Sequence, residues 1–269
     1  MNLFRKVSRR AGMLASQTWI SKSRRSVRQV GLKDFDILVL ANEEVGRQII
    51  LFKNFEPDET NYFNSILKPN DICFDVGGNV GFFSMLMAKR ASKGVVHVFE
   101  PIPLNAALIR TSAELNGFGN LVINNVAVGS QKGSVAFSIS IDSAYSSMHP
   151  TGRRAEDKSI IVPVKTIDEY VTVHSVPRID ILKVDVEGAE ALVIEGAANI
   201  LKDTTRRPRM VLLELFDINL VPFDSDVLKI VSRMVSFGYA AKVLKNGGAE
   251  LVPFTPDMAN KFSNVIFVA

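Results

Sequence analysis

The strongest constraint on this chain lies in seven residues, Asp75 to Gly81, which read DVGGNVG directly after the apolar run Ile72–Phe74. Asp75, Gly77, Asn79 and Gly81 fall at alternate positions, and the small residues among them let the backbone turn sharply out of a strand and into a helix. The same small residues let a ligand lie against bare main chain. The spacing discriminates between ligands. A dinucleotide site needs G-x-G-x-x-G, because its pyrophosphate must reach the helix N-terminus. Here an acid stands two residues before the first glycine, and no Lys-Ser/Thr pair of a phosphate-binding loop follows. A carboxylate at Asp75 repels a diphosphate and suits the ammonium group of an amino-acid ligand. Asn79 is tolerated in the middle position because Asn enters left-handed backbone more readily than most residues. S-adenosylmethionine is the ligand that fits these features.

A second acid agrees with the first. Glu100, followed by Pro101, ends the next apolar strand, Val95–Phe99. A carboxylate at the end of the second strand of such a unit is placed to accept both hydroxyls of a ribose. Taken singly, Asp75 is equally readable as a charge at a helix N-terminus and Glu100 as an exposed strand end; their joint spacing favours the ligand.

The chain has 269 residues, one cysteine (Cys73) and three histidines. That is enough for one large α/β core, and it excludes a disulfide framework and a cysteine- or histidine-rich metal site. No apolar run reaches the length of a membrane span, and no internal repeat or low-complexity tract is present. The net charge of +4 is unevenly placed. Arg5, Lys6, Arg9, Arg10, Lys22, Arg24, Arg25 and Arg28 precede the first acid, Asp34, so the remaining body is slightly acidic. A nucleic-acid enzyme carries its basic patch on the folded body, so no nucleic-acid partner is expected. Residues 1–30 are read as a basic tail, with 31–269 as the catalytic domain. Leu3, Val7, Ala11 and Leu14 share a helical face, which suits peripheral membrane contact. A transit peptide or a solvated terminus is the alternative, and the expected location is cytoplasmic.

Beyond the tail, strands and helices alternate. Strands are expected at Ile37–Leu40, Gln48–Phe52, Ile72–Phe74, Val95–Phe99, Leu121–Val128, Ile179–Val184, Met210–Leu215, Ala240–Leu244 and Asn264–Val268. Helices are expected near Glu59–Leu67, Phe82–Arg90, Leu104–Asn116, Ala189–Leu201 and Ser225–Phe237. The pattern describes a mostly parallel sheet with helices on both faces and an antiparallel edge strand. Residues 130–170 break the rhythm with two alternating runs around a polar stretch, a hairpin-like insertion. Ligands of open α/β sheets sit beyond the carboxyl ends of the strands. This gathers Asp75, Glu100, Asn125, Asp185 and Glu214 at one edge and makes Tyr145, Ser146, Ser147 and His149 of the insertion the expected acceptor contacts.

The run Lys183-Val184-Asp185-Val186-Glu187 ends an apolar strand in charges, which is costly unless water, metal or ligand compensates. Lys183, Asp185 and Glu187 are the catalytic candidates, and they share one direction if the strand stays extended. Glu187 also reads as a cap of the following helix. A divalent cation between Asp185 and Glu214 is open but less favoured than a metal-free site.

These segments resemble the FkbM-type methyltransferases. The resemblance rests on DVGGNVGFFS (75–84), HVFEPIPLNAALI (97–109), VKTIDEY (164–170), IDILKVDVEGAEALVIEGA (179–197) and LLEL (212–215), in the family's order. It implies a Rossmann-like class I methyltransferase fold that binds S-adenosylmethionine and methylates oxygen, on sugars, glycans or natural products. By position it places the methionine moiety against Asp75, Gly77, Gly78, Asn79 and Gly81. The ribose falls to Glu100 with Pro101, the adenine to Asn125 and Ala127, and Asp185 lies near the reacting methyl. Gly78 stands where the family usually has Ala, a change expected only to open the turn. The competing classes are a non-catalytic Rossmann-like module and a nicotinamide oxidoreductase; the intact acids disfavour the first and the missing G-x-G-x-x-G the second.

Overall fold

The computed structural model describes residues 26–140, 142–148, 156–245, 247–248, 250–259 and 261–269. The expectations for residues 1–25 and for His149 lie outside the described residues. Its strands are β1 Val27–Gly31, β2 Asp36–Leu40, β3 Ile72–Val76, β4 Val95–Phe99, β5 Leu121–Asn124, β6 Ala127–Val128, β7 Gly133–Ser140 and β8 Glu156–Lys165. They continue as β9 Ile181–Val184, β10 Met210–Glu214, β11 Ala240–Lys245, β12 Glu250–Pro253 and β13 Asn264–Val268. The helices are α1 Glu44–Phe52, α2 Pro57–Ile66, α3 Phe82–Arg90, α4 Pro103–Leu115, α5 Ile167–Val173, α6 Glu190–Glu195, α7 Ala198–Lys202, α8 Asp217–Leu220 and α9 Val227–Ser236.

Eight strands form the main sheet in the order β12-β11-β13-β10-β9-β3-β4-β5. The run from β10 to β5 is parallel, while β13 lies antiparallel between β10 and β11. This is the α/β architecture that strand–helix alternation demands. Two-residue periodicity sorts the side chains. Cys73, Ile181, Met210 and Leu212 face one layer, packed with Phe83, Met85 and Ile109. Phe74, Val76, Leu182, Val184, Val211 and Leu213 face the other, with Tyr170, Val193 and Met234. The layers differ in character. α3 is buried from Phe82 to Ala88, which explains its unbroken apolar run. α9 buries only Val227, Ile230 and Met234, the stripe of a surface helix. The VKTIDEY segment folds because Thr166 accepts the Glu169 N–H as a helix cap while Asp168 accepts two N–H groups at the start of α7. Tyr170 is thereby held beneath β3 and β4, against Phe74 and Phe99.

The structure departs from the expected elements in several places. Gln48–Phe52 lies in helix α1, whose buried Val45 and Ile49 are four residues apart; the β-branched pair Ile49-Ile50 imitates a strand. Leu121–Val128 is two strands, because the chain leaves the main sheet at Asn125 and joins the small sheet β6-β8-β7. The helix expected over 189–201 breaks at Gly196, where a Cβ would lie 2.1 Å from the Gly129 carbonyl oxygen. β1 pairs with β2 and takes residues 27–30 out of the tail. Among the described residues, no helix is long and apolar enough to cross a membrane.

The amino ends of the central strands are tied by charge. Asp71, 3% exposed, accepts both Arg209 guanidinium nitrogens, at 2.9 and 2.7 Å, and the Lys68 N–H. Arg209 also reaches the Ile66 carbonyl and lies 3.6 Å from Asp180. Asp71→Ala should therefore cost about 1–3 kcal/mol, since it strands a half-buried guanidinium; a urea midpoint within error of the unaltered chain contradicts this.

Candidate functional site

The strand pleat decides which acids meet. In the parallel pairing of β3 with β9, Asp75 lies opposite Lys183, and Leu212 of β10 lies opposite Lys183 on the other side. Continuing by two, Asp75, Lys183, Asp185 and Glu214 emerge on one face at the carboxyl edge. There they line a cavity of about 280 Å³ with Glu44, Glu56, Glu100 and Glu187. Lys183 is the sole cation among seven carboxylates in that lining, counted over the described residues.

The DVGGNVG turn forms one wall. Gly77 and Gly81 take φ values of 84° and 93°, and Asn79 takes 49°. Gly77 is required twice over, because a Cβ there would lie 1.7 Å from the Asp185 carbonyl oxygen. Gly77, Gly78 and Asn79 line the cavity. Gly81 is not in the lining; it packs against Ile109, whose Cγ1 lies 2.8 Å from where its Cβ would stand. Gly78 does not open the turn, because Val98 Cγ1 occupies the place of its missing Cβ, at 2.6 Å.

Asp75 is 1% exposed. Its Oδ2 accepts the Ser84 hydroxyl at 2.5 Å, while its buried Oδ1 has no partner. Burial raises its pKa, against the lowering effect of Lys183 and Ser84. Glu100 accepts the Asn79 and Ile102 N–H groups, one on each oxygen, both at 2.8 Å. Burial nevertheless pushes it up to about 8. Pro101 and Ala127 line the cavity beside it, together with Val126 and Val128. Asn125 is turned away from the cavity: its amide donates to the carbonyls of Glu100 and Pro101, so it braces that turn.

At the centre, the Lys183 ammonium lies 3.0 Å from Asp185 Oδ2 and 5.2 Å from the centroid of the Phe83 ring. Burial alone would depress this lysine, yet Asp185, Asp75 and Glu56 overcome it and hold the ammonium above its ordinary range. An ammonium so placed serves as the counter-charge to the acids around it. The strand ends at Val184, and Glu187 takes a left-handed φ of 53°, so the expected alternation stops there. Even so, carboxylate oxygens of Asp185, Glu187 and Glu214 converge within 4.8 Å of one another. Asn219 donates to Glu187 at 2.6 Å. Burial and the neighbouring Asp185 raise Glu214 well above the usual carboxyl range. A cluster of this kind suits a shared proton or a positively charged guest.

The insertion supplies the opposite wall. Its 3-10 turn Ser143–Tyr145 is stapled to α1: Ser143 donates through N–H and hydroxyl to Glu43, Tyr145 donates to Glu44, and Asp142 accepts the Glu44 N–H. Tyr145 and Ser146 line the cavity. Ser147 does not, because its hydroxyl donates to the Glu187 carbonyl at 2.8 Å and supports that left-handed turn. Glu44 and Glu56 are missing from the residues expected here. Pro57 after Glu56 was the available signal, marking a helix start beside the sheet edge.

Residues 75–241 match the methyltransferase FkbM domain. The chain belongs to the FkbM methyltransferase family. It is similar to the 31-O-demethyl-FK506 methyltransferase FkbM of Streptomyces tacrolimicus, at 27% identity over 67% of this chain and 79% of that one. Methyltransferase 1 of Beauveria bassiana is 26% identical over 69% of this chain and 74% of its own length. The hexuronic acid methyltransferase AglP of Haloferax volcanii is 27% identical over 49% of this chain and 52% of that protein. A solved FkbM methyltransferase of Methylobacillus flagellatus shares the fold, with a TM-score of 0.51 at 14% identity over 79% of this chain. This chain spans 48% of that longer one. The protein is a methyltransferase with a class I fold.

Glu100 and Glu56 of the cavity lining, and Glu190, which accepts the Val186 and Gly188 N–H groups, carry a pH signature. Folding raises Glu100 to about 8, Glu56 to about 8 and Glu190 to about 7. A raised carboxyl binds its proton more tightly folded than unfolded, so its contribution to stability is full below about pH 4.5. It is lost as pH rises through the folded value. The thermal midpoint of the ligand-free protein should therefore fall between about pH 6 and about pH 8.5; a flat or rising midpoint over that span contradicts the assignment.

Proposed function

We propose that this chain transfers the methyl group of S-adenosylmethionine to a hydroxyl oxygen of a small-molecule or glycan acceptor. The observation that carries the reading is the unpartnered Asp75 Oδ1, buried in the same cavity as Glu100 and Asp185. A zwitterionic donor ligand with a ribose supplies what these acids lack: an ammonium for Asp75 and hydroxyls for the remaining lone pairs of Glu100. The sulfonium would then lie over the Lys183–Asp185 pair. The methyl is already activated, so the protein's part is alignment and removal of the acceptor's proton. Oxygen as the acceptor atom is supported by the names of relatives, among them a 2-O-methyltransferase, NoeI, of Sinorhizobium fredii.

The geometry speaks against a nicotinamide dinucleotide. The Gly77 and Gly78 N–H groups both donate to the Phe99 carbonyl, at 2.9 and 3.2 Å, which leaves no cradle for a diphosphate. The seven carboxylates of the lining make the same argument against nucleic acid and other polyanionic acceptors. A divalent cation at Asp185, Glu187 and Glu214 is the second reading, favoured only by their convergence. The reaction is tested by incubating the protein with methyl-labelled S-adenosylmethionine and an extract of its source organism. Label in an alkali-stable ether product is expected, unchanged by chelator; loss of transfer restored by magnesium would favour the metal.

The donor assignment has its own test. Glu100→Gln should weaken S-adenosylmethionine binding by about 1–3 kcal/mol, because an acceptor oxygen is replaced by an amide nitrogen that can only donate. Calorimetry showing unchanged affinity would remove Glu100 from the ribose.

A further inference from the structure

We propose that Glu56 is a catalytic residue of this enzyme, the carboxylate that faces the sulfonium and takes the proton of the acceptor hydroxyl. The proposal rests on the O-methyl transfer reading, and it concerns a residue outside the span matched to the family, 75–241. Glu56 stands at the N-cap position of α2, where an acidic side chain ordinarily bonds the helix's own N–H groups, yet it makes no cap hydrogen bond. It lines the cavity instead. Its backbone is left-handed, with φ 41° and ψ 71°, and the next residue is Pro57. That conformation is costly for any side-chain-bearing residue, and costlier before proline. Strain of this kind persists where surrounding structure imposes it, which in enzymes is most often at a site.

Elimination singles it out. Asp185 is held by Lys183, Glu187 by Asn219, Asp75 by Ser84, Glu44 by Tyr145, and Glu100 by two N–H groups. Glu214 shares a hydrogen bond with Asp185. Among the described residues, the Glu56 carboxylate has no hydrogen bond or ion pair. The charged groups facing it are Lys183 and Asp185 at the end of β9, Glu214 of β10 and Glu59 of its own helix. Burial, opposed by Lys183 and reinforced by Asp185 and Glu59, brings its carboxyl to about 8, the range in which a base works near neutral pH.

The step balances. The acceptor oxygen forms a bond to the methyl carbon as the carbon–sulfur bond breaks, and that electron pair stays on sulfur, giving S-adenosylhomocysteine. The acceptor's O–H electron pair stays on oxygen. The proton passes to the Glu56 carboxylate and then to solvent.

The test compares binding of S-adenosylmethionine with that of S-adenosylhomocysteine, by calorimetry, for the full chain and for Glu56→Gln. The two ligands differ in the sulfonium charge. Contributions of Asp75 and Glu100, which both ligands meet alike, therefore cancel in the ratio of affinities. In the full chain the preference for S-adenosylmethionine should grow about tenfold between about pH 6 and about pH 9, as the carboxyl ionises. In Glu56→Gln that growth should shrink to about threefold or less, the remainder coming from Glu214, with S-adenosylhomocysteine bound within about twofold of normal. A pH-dependent preference as steep in Glu56→Gln as in the full chain overturns the proposal. Equal loss of both ligands does the same, because it shows a structural role only. In the labelled-extract assay, Glu56→Gln should lower transfer at saturating donor about 100-fold or more, and Glu56→Asp should recover part of it. Undiminished transfer overturns the proton role. Absence of transfer by the unaltered chain would count against methyl transfer itself, while the binding ratio still decides where Glu56 sits.

Discussion

The site depends on one buried ammonium. Lys183 is 3% exposed at the end of an apolar strand, and its charge is what lets Asp75, Asp185 and Glu56 share a cavity at all. Removing a charge from water costs several kcal/mol, recovered only when opposite charges and hydrogen bonds surround it. Here the compensation comes from two neighbouring strand ends, through the register that sets Asp75 against Lys183. The Phe83 ring from α3 closes the remaining side. Sheet register, helix packing and cavity electrostatics thus meet at one nitrogen atom.

That arrangement still leaves negative charge in excess. Several carboxyls rise toward neutral pH because burial outweighs the few donors around them, as at Glu100 and Glu56. A cavity lined in this way favours a positively charged guest. Under the proposed S-adenosylmethionine reading, the same charges would favour the sulfonium form over the neutral product.

Much of this was legible in the residues. The strand–turn–helix at Asp75–Gly81 was readable because its small residues have a steric reason, and the register at Lys183 follows from two-residue periodicity. What escaped depended on long-range contacts. Nothing local shows that Gln48–Phe52 is helical, since Ile49-Ile50 fits a strand equally well until Leu40 and the α4 layer pack beside it. Asn125 and Ser147 looked like ligand contacts by type and position, yet both spend their polar groups on neighbouring carbonyls. Glu56 lies outside the recurrent motifs, and only its placement opposite Lys183 gives it meaning. Periodicity reports which face a residue takes; it does not report which polar partner reaches that residue first.

The stapling of the 3-10 turn to α1 has a consequence for how such enzymes diversify. One wall of the cavity is built from two pieces about a hundred residues apart in sequence, fastened through Glu43–Ser143 and Glu44–Tyr145. Exchanging either piece alone removes one side of these hydrogen bonds. A chimera that borrows the insertion from a relative inherits a mismatched seam, whereas exchanging both segments together carries the seam across whole. A change to this wall thus keeps its packing only when both segments are exchanged as a matched pair.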